Sequence, residues 1–239
     1  FVSKTSNNDY IFASEAKSIV DLVDENYLIE QFKPGSFKVY NIFVDTVTDY
    51  TSYYNYNYPY FKENFQVILE TIREKLTAAV KKRLMSDRPI GCLLSGGLDS
   101  SLISALVARE FKNSGKGQLQ TFSIGIKGST DLKYAKMVAD HIGSFHHTIE
   151  LEEHDFLDAI PEVIYNIESY DTTTVRASTG NYLVGKYIKE NTDITVIYSG
   201  EGSDEASGSY MYFKNAPNEE DFQEECIRLM KDLCYYDNL

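Results

Sequence analysis

From Asn64 onward, apolar residues recur at helical spacing. Phe65, Ile68, Leu69, Ile72, Leu76, Ala79 and Val80 share one face. Lys81, Lys82 and Arg83 close that stretch, where a helix dipole favours cations. A short apolar run over 90–94 leads into SGGLDSS, and a second helical stretch covers 101–111. The pattern then predicts a strand at 119–126, a helix at 131–142 closed by Gly143, and a strand at 145–151. A helix is expected over 155–169, with Pro161 starting or kinking a turn, and another over 176–189. A buried strand at 194–198 precedes SGEGSDE, and residues 218–236 carry Phe222, Cys226, Leu229, Met230 and Leu233 at the spacing of a packing helix. Strands alternating with helices imply an α/β fold, a mainly parallel sheet with helices on both faces. Ligands of such sheets bind at the carboxyl ends of the strands. SGGLDSS and SGEGSDE both follow predicted strands and are expected to face one crevice.

The first forty residues read differently. Short alternating or apolar stretches at 10–13 and 37–40 surround turn-like Asn7-Asn8-Asp9 and Pro34-Gly35, as at the end of a β-rich unit. Residues 49–61, DYTSYYNYNYPYF, are strongly tyrosine-biased; a connector whose rings pack on a neighbouring domain explains them more simply than a tyrosine-lined ligand surface.

Charge narrows the partners. Lys and Arg total 23 against 36 Asp and Glu, a net charge of −13, so general nucleic-acid binding is not expected. An anionic nucleotide would need local help from a helix N-terminus, backbone N–H groups or a divalent metal. No apolar run approaches the roughly 20 residues of a membrane span. Residues 1–10 lack a basic stretch followed by an apolar one, and the chain opens on Phe1; the expectation is a fragment or a processed chain without a signal peptide. Cys92, Cys226 and Cys234 are widely spaced and read as reduced thiols of a cytoplasmic protein. His146 and His147 alternate across a predicted strand and cannot share one metal, and His141 and His154 read as ordinary surface or packing residues.

Ser95-Gly96-Gly97-Leu98-Asp99-Ser100-Ser101 combines small residues, hydroxyls and one acid between a strand and a helix. Gly96 and Gly97 permit a tight turn whose N–H groups approach an anion closely, and the helix adds its positive end. The G-x-x-x-x-G-K-[ST] pattern is absent, so this is not a Walker A loop. A bare Asp99 would repel phosphates by a few kcal/mol at an effective dielectric of ~20. Mg²⁺ bridging carboxylate and phosphate oxygens would reverse that sign. Capping alone explains one Ser or Asp, not two glycines with four hydroxyl or acid residues. In the second loop, Glu201, Asp204 and Glu205 supply three carboxylates; Asp204 could be a second metal ligand, and Glu201 a general base or a group that positions an attacking amine.

SGGLDSS resembles the pyrophosphate-binding loop of the ATP pyrophosphatases, an adenine nucleotide alpha hydrolase-like fold. With SGEGSDE, DTTTVRAS, TFSIGIKGSTDLKYAKMVADHIG and YMYFKNAP in one order, residues 64–239 closely resemble the synthetase domain of glutamine-hydrolysing asparagine synthetases of eukaryotic type. Residues 1–40, with FASEAKSIV and FKPGSF, look like the last strands of that family's glutaminase (class II amidotransferase) domain, joined by a connector over 41–63. The resemblance implies a ligase that uses ATP and Mg²⁺ to convert aspartate into asparagine through β-aspartyl-AMP, with ammonia supplied from glutamine. By matching positions, Leu93 and Ile124 border the adenosine; Ser95, Gly96, Gly97, Leu98, Asp99, Ser100 and Ser101 hold pyrophosphate; and Ser199 and Gly200 contact the nucleotide. Asp99 and Asp204 bind Mg²⁺, Glu201 serves intermediate formation or ammonia attack, and Thr173, Thr174 and Arg176 hold aspartate. Membrane and nucleic-acid partners are not expected, and a homodimer is left open. Members of that family carry a catalytic N-terminal Cys before the matched region and a charge-stabilising lysine after it, so the resemblance assigns no glutaminase activity to these residues. Ser209 stands where the family has Gly before Tyr210. A β-lactam synthetase-like cyclase using a Tyr–Glu pair and an internal amine, and an ATP-binding module without catalysis, are the alternative readings.

Overall fold

The computed structural model describes residues 1–54 and 62–236, with side chains through residue 233. The tyrosine-rich expectation at 49–61 therefore lies largely outside the described residues, as does the side chain of Cys234. The chain divides into two units, Phe1–Pro59 with Lys231–Leu239, and Tyr60–Met230.

In the first unit, short strands form three separate antiparallel pairs. β1 (Val2–Lys4) pairs with β2 (Tyr10–Phe12), β3 (Ser36–Phe37) with β6 (Thr51–Ser52), and β4 (Tyr40–Asn41) with β5 (Thr46–Val47). Among its described residues, Val2 and Ile19 are the buried apolar side chains. The Lys38 ammonium bonds the Glu30 carboxylate at 3.1 Å and sits 3.9 Å from the Tyr50 ring centre.

The second unit follows the alternation of the sequence. In order come α1 (Phe65–Arg83), β7 (Ile90–Leu93), α2 (Leu98–Ser114), β8 (Gln120–Ile126), α3 (Thr130–Ile142) and β9 (Phe145–Leu151). Then follow α4 (Glu153–Ile167), α5 (Thr172–Asn191), β10 (Val196–Tyr198), the short α6 (Ser203–Ser207), a 3₁₀ turn at Met211–Asn215, and α7 (Glu219–Tyr236), whose residues from Lys231 on are grouped with the first unit. The four strands form one parallel sheet in the order β10-β7-β8-β9. The chain moves outward from β7 to β9 and then returns to the other side of β7, so the order reverses between β7 and β10. That reversal opens a crevice above their carboxyl ends.

Period-two alternation sends each strand's side chains to opposite faces. On one face Ile90 and Cys92 pack with Val80 and Leu84 of the α1 region and Leu106, Val107 and Phe111 of α2. On the other, Phe122 and Ile149 pack with Val184 and Ile188 of α5, and Leu93 and Ile124 join them. Helices therefore cover both faces. Gly91 permits this packing, because a Cβ there would lie 2.8 Å from the Phe122 ring. His146 and His147 point to opposite faces: His146 reaches Thr121 and Ser123, whereas His147 stacks on Phe122 at 4.6 Å.

Two helices begin three or four residues earlier than the apolar periodicity predicts. α2 starts at Leu98, which places Asp99, Ser100 and Ser101 in its first turn. α5 starts at Thr172, because the Asp171 carboxylate accepts from the Thr174 backbone N–H at 2.9 Å and from its hydroxyl at 3.0 Å. Caps of this kind leave no apolar signature. Pro161 neither starts nor ends α4; the helix runs through it, and the carbonyl four residues back belongs to exposed Leu157, where water can replace the missing donor. Among the described residues no helix is long and apolar enough to cross a membrane.

Candidate active site

Leu93 ends β7 and Tyr198 ends β10, one strand away in the sheet, so the loops that follow them rise side by side. In the first loop, hydroxyls hold the backbone. The Ser95 N–H donates to Ser100 Oγ at 3.2 Å, the two hydroxyls lie 2.9 Å apart, and the Ser100 hydroxyl also donates to the Gly97 carbonyl at 3.3 Å. Gly96 has φ of +86°, and a Cβ there would meet the Ala135 nitrogen at 2.6 Å, so glycine alone fits where the loop crosses α3. Gly97 is the N-cap of α2 without any side-chain cap, which leaves the N-terminal N–H groups of a 17-residue helix at the loop.

The second loop is built the same way. Ser199 Oγ accepts from the Glu201 N–H at 2.9 Å, and the Ser203 hydroxyl donates to the Gly200 carbonyl at 2.7 Å. Gly202, at φ +82°, turns the chain into α6. Between the loops lies a cleft of about 230 Å³. Leu93, Ser95, Gly97, Asp99 and Ser100 form one wall; Ser199, Gly200, Glu201, Gly202, Asp204 and Glu205 form the other. Asn181 of α5 and Tyr210 complete the lining.

Among the described residues, four carboxylates and no Lys or Arg line this cleft. The Tyr210 hydroxyl donates to Glu205 Oε1 at 2.6 Å; that bond, burial and the charges of Glu205, Asp204 and Glu201 push the phenol well above its usual range. Ser209 donates its hydroxyl to Asp204 Oδ1. For Asp99 and Glu201 no side-chain donor is found among the described residues. Nor is there any cluster of three or more His, Cys, Asp or Glu side chains arranged to hold a metal ion among them. The donor set is two loops contributing hard carboxylate oxygens. It suits a cation that takes one or two carboxylates and completes its shell with water and phosphate oxygens.

Not every residue singled out in the sequence reaches this lining. Leu98 is 80% exposed, Ser101 carries a buried hydroxyl without a hydrogen-bond partner in the described residues, and Ile124 packs on the α5 side of the sheet. Thr173 and Thr174 lie in the first turn of α5, Thr174 bound to Asp171. Arg176 lines a different groove, about 540 Å³ and mostly apolar, with Phe156, Leu157 and Ile160 of α4. Sequence reasoning missed Asn181 and Tyr210 as cleft residues. Asn181 precedes buried Val184 and Ile188 at spacings of three and seven, so a polar residue in an apolar stripe was its available signal.

The asparagine synthase family model matches residues 71–234. Over the whole chain, the sequence is 41% identical to the glutamine-hydrolysing asparagine synthetase of Cricetulus griseus and 40% identical to that of Homo sapiens, covering 46% of each relative. The chain thus spans about half the length of the curated relatives it matches. A solved NH3-dependent NAD synthetase from Campylobacter jejuni is a distant structural neighbour, with a TM-score of 0.39 and 17% identity over 73% of this chain and 85% of that one. With the family model spanning α1 to α7 and both cleft loops, the chain belongs to the asparagine synthase family.

Proposed function

We propose that the cleft between the β7 and β10 loops is the ATP site of an asparagine-forming ligase. One observation carries this reading: the hydroxyl- and glycine-rich loop and the acidic loop meet at the sheet's reversal point, with Gly200 against the backbone of Asp99 and Ser100. In this reading the α2 N-terminus and the Ser95 and Ser100 hydroxyls receive the pyrophosphate portion, while Leu93 borders the adenosine. Asp99 and Asp204 would hold Mg²⁺, which when bound neutralises the charge of the leaving pyrophosphate.

The chain's residues then orient two displacements. The aspartate β-carboxylate oxygen attacks the α-phosphorus, and the bond to the pyrophosphate oxygen breaks, giving β-aspartyl-AMP. Ammonia, supplied from glutamine by the longer parent protein, attacks the acyl carbon; the C–O bond to AMP breaks and the nitrogen loses a proton. Glu201, exposed in the cleft wall, is placed to accept that proton or to hold the nucleophile. Thr173, Thr174 and Arg176 are proposed for aspartate on the resemblance of DTTTVRAS alone, and Arg176 lines the α4 groove rather than this cleft. Residues 1–40 are assigned to the end of the glutaminase domain, 41–63 to a connector and 64–239 to the synthetase domain.

Aspartate labelled with ¹⁸O in its β-carboxylate tests which bonds are made and broken. Label recovered in AMP supports carboxylate attack on the α-phosphorus; label confined to pyrophosphate or absent from AMP contradicts it. The Tyr210–Glu205 contact is the observation that favours the cyclase alternative. Product formation that depends on added ammonia separates the two, since a cyclase uses an amine already within its substrate.

A further inference from the structure

The turn after α6 sets hydroxyls of two consecutive residues on two consecutive carboxylates. Ser209 donates to Asp204 Oδ1, and Tyr210 donates to Glu205 Oε1 at 2.6 Å. The Ser209 N–H also returns to the Asp204 carbonyl at 3.2 Å, fixing the turn's backbone. The third acid of the loop, Glu201, has no side-chain donor among the described residues.

The turn is seated from behind. Gly208, at φ +61°, lies so close to α7 that a Cβ would meet the Phe222 ring at 2.6 Å and Cys226 Sγ at 3.0 Å. Tyr210 stacks with Tyr212, and Tyr212 stacks on Phe213 at 4.7 Å. The Tyr212 hydroxyl donates to Glu225 Oε1 at 2.9 Å, and Arg228 binds the same carboxylate through two bonds of 2.7 Å. The two hydroxyls therefore project from a surface anchored on α7.

Carboxylates crowded in one cleft repel one another and swing apart unless something holds them. Lys or Arg would hold them but would also cancel the charge that attracts a cation. A hydroxyl orients a carboxylate and leaves its charge intact. It also occupies one oxygen and leaves the other for a ligand.

We propose that Ser209 and Tyr210 are positioning residues, which hold Asp204 and Glu205 in fixed orientations so that Asp204 presents its remaining oxygen to a divalent cation and Glu201 is left to meet the substrates. The inference rests on the ATP reading above. Groups that orient a metal ligand typically change metal affinity about 10–100-fold when removed.

The test is Mn²⁺ binding followed by electron paramagnetic resonance, with and without the non-reacting analogue α,β-methylene-ATP, on wild type, Ser209→Ala, Ser209→Thr and Tyr210→Phe. Ser209→Ala is expected to weaken Mn²⁺ binding in the nucleotide complex about 10-fold, with Ser209→Thr restoring it and the thermal midpoint unchanged. Tyr210→Phe is expected to leave Mn²⁺ affinity within about twofold and lower kcat for asparagine formation without raising the KM for ATP. Wild-type binding that Ser209→Ala leaves intact overturns the positioning role and spares the ATP reading. A wild type that binds no Mn²⁺ with the nucleotide overturns both.

Discussion

Gly200 lies directly against the first turn of α2: a Cβ at 200 would come within 2.8 Å of the Ser100 nitrogen and 2.9 Å of the Asp99 carbonyl carbon. Both neighbours are backbone, so no side-chain rotation can relieve the contact. The glycine is required by closeness. Gly200→Ala must push the two loops apart, and overpacking of this kind costs about 1–3 kcal/mol. Nucleotide affinity is expected to fall more than tenfold while the fold persists, as read by ATP titration beside thermal unfolding.

Glu201 is the loop acid that no hydroxyl engages. Glu201→Gln keeps its size and removes its charge, and Glu201→Ala removes both. Each is expected to lower steady-state asparagine formation by about 10²-fold or more, the range of a lost general base, while ATP still binds. Asparagine formation at the wild-type rate in Glu201→Ala would remove the assignment.

His146 makes stability depend on pH. Its Nδ1 lies 2.9 Å from Thr121 Oγ1 and its Nε2 3.0 Å from Ser123 Oγ, so a neutral ring donates through one nitrogen and accepts at the other. Burial above all, and then the Lys136 ammonium, lower its pKa to about 4. The unfolded chain takes up the proton below about 6.5, the folded chain only below about 4. Stability is therefore complete above that window and falls as pH drops through it. Discounted for partial exposure, the loss is on the order of 1–2 kcal/mol. Urea unfolding at several pH values should show this slope in wild type and a flatter one in His146→Asn.

Phe122 is the largest side chain among those almost wholly buried, and it links β8 to α5 beneath the cleft. Phe122→Ala is expected to cost about 3–5 kcal/mol. Gly91→Ala, which drives a methyl group into the same ring, is expected to destabilise by about 1–3 kcal/mol. Denaturant titration of both variants checks the pair.

Much of this was legible in sequence because period and punctuation carry it. The alternation of strand and helix between Ile90 and Tyr198 predicts the parallel sheet, and placing SGGLDSS and SGEGSDE directly after strands predicts that they meet. The opposed directions of His146 and His147 follow from period two alone. The start of α2 at Leu98 and of α5 at Thr172 did not show, since Gly97 and Asp171 act through backbone and cap geometry rather than through apolar spacing. Nor could sequence order tell which face of α5 would carry Arg176 into the α4 groove and Asn181 into the cleft. Ser209 is legible as a departure from the family's glycine, but its bond to Asp204 exists only once Gly208 has turned the chain against α7.

Product analysis tests the central claim most directly: the chain is mixed with ATP, Mg²⁺, aspartate and ammonium, and the nucleotides and amino acids are separated. AMP and pyrophosphate formed only when aspartate is present, together with asparagine, is the predicted result. ADP and phosphate, or AMP release that ignores aspartate, would contradict it.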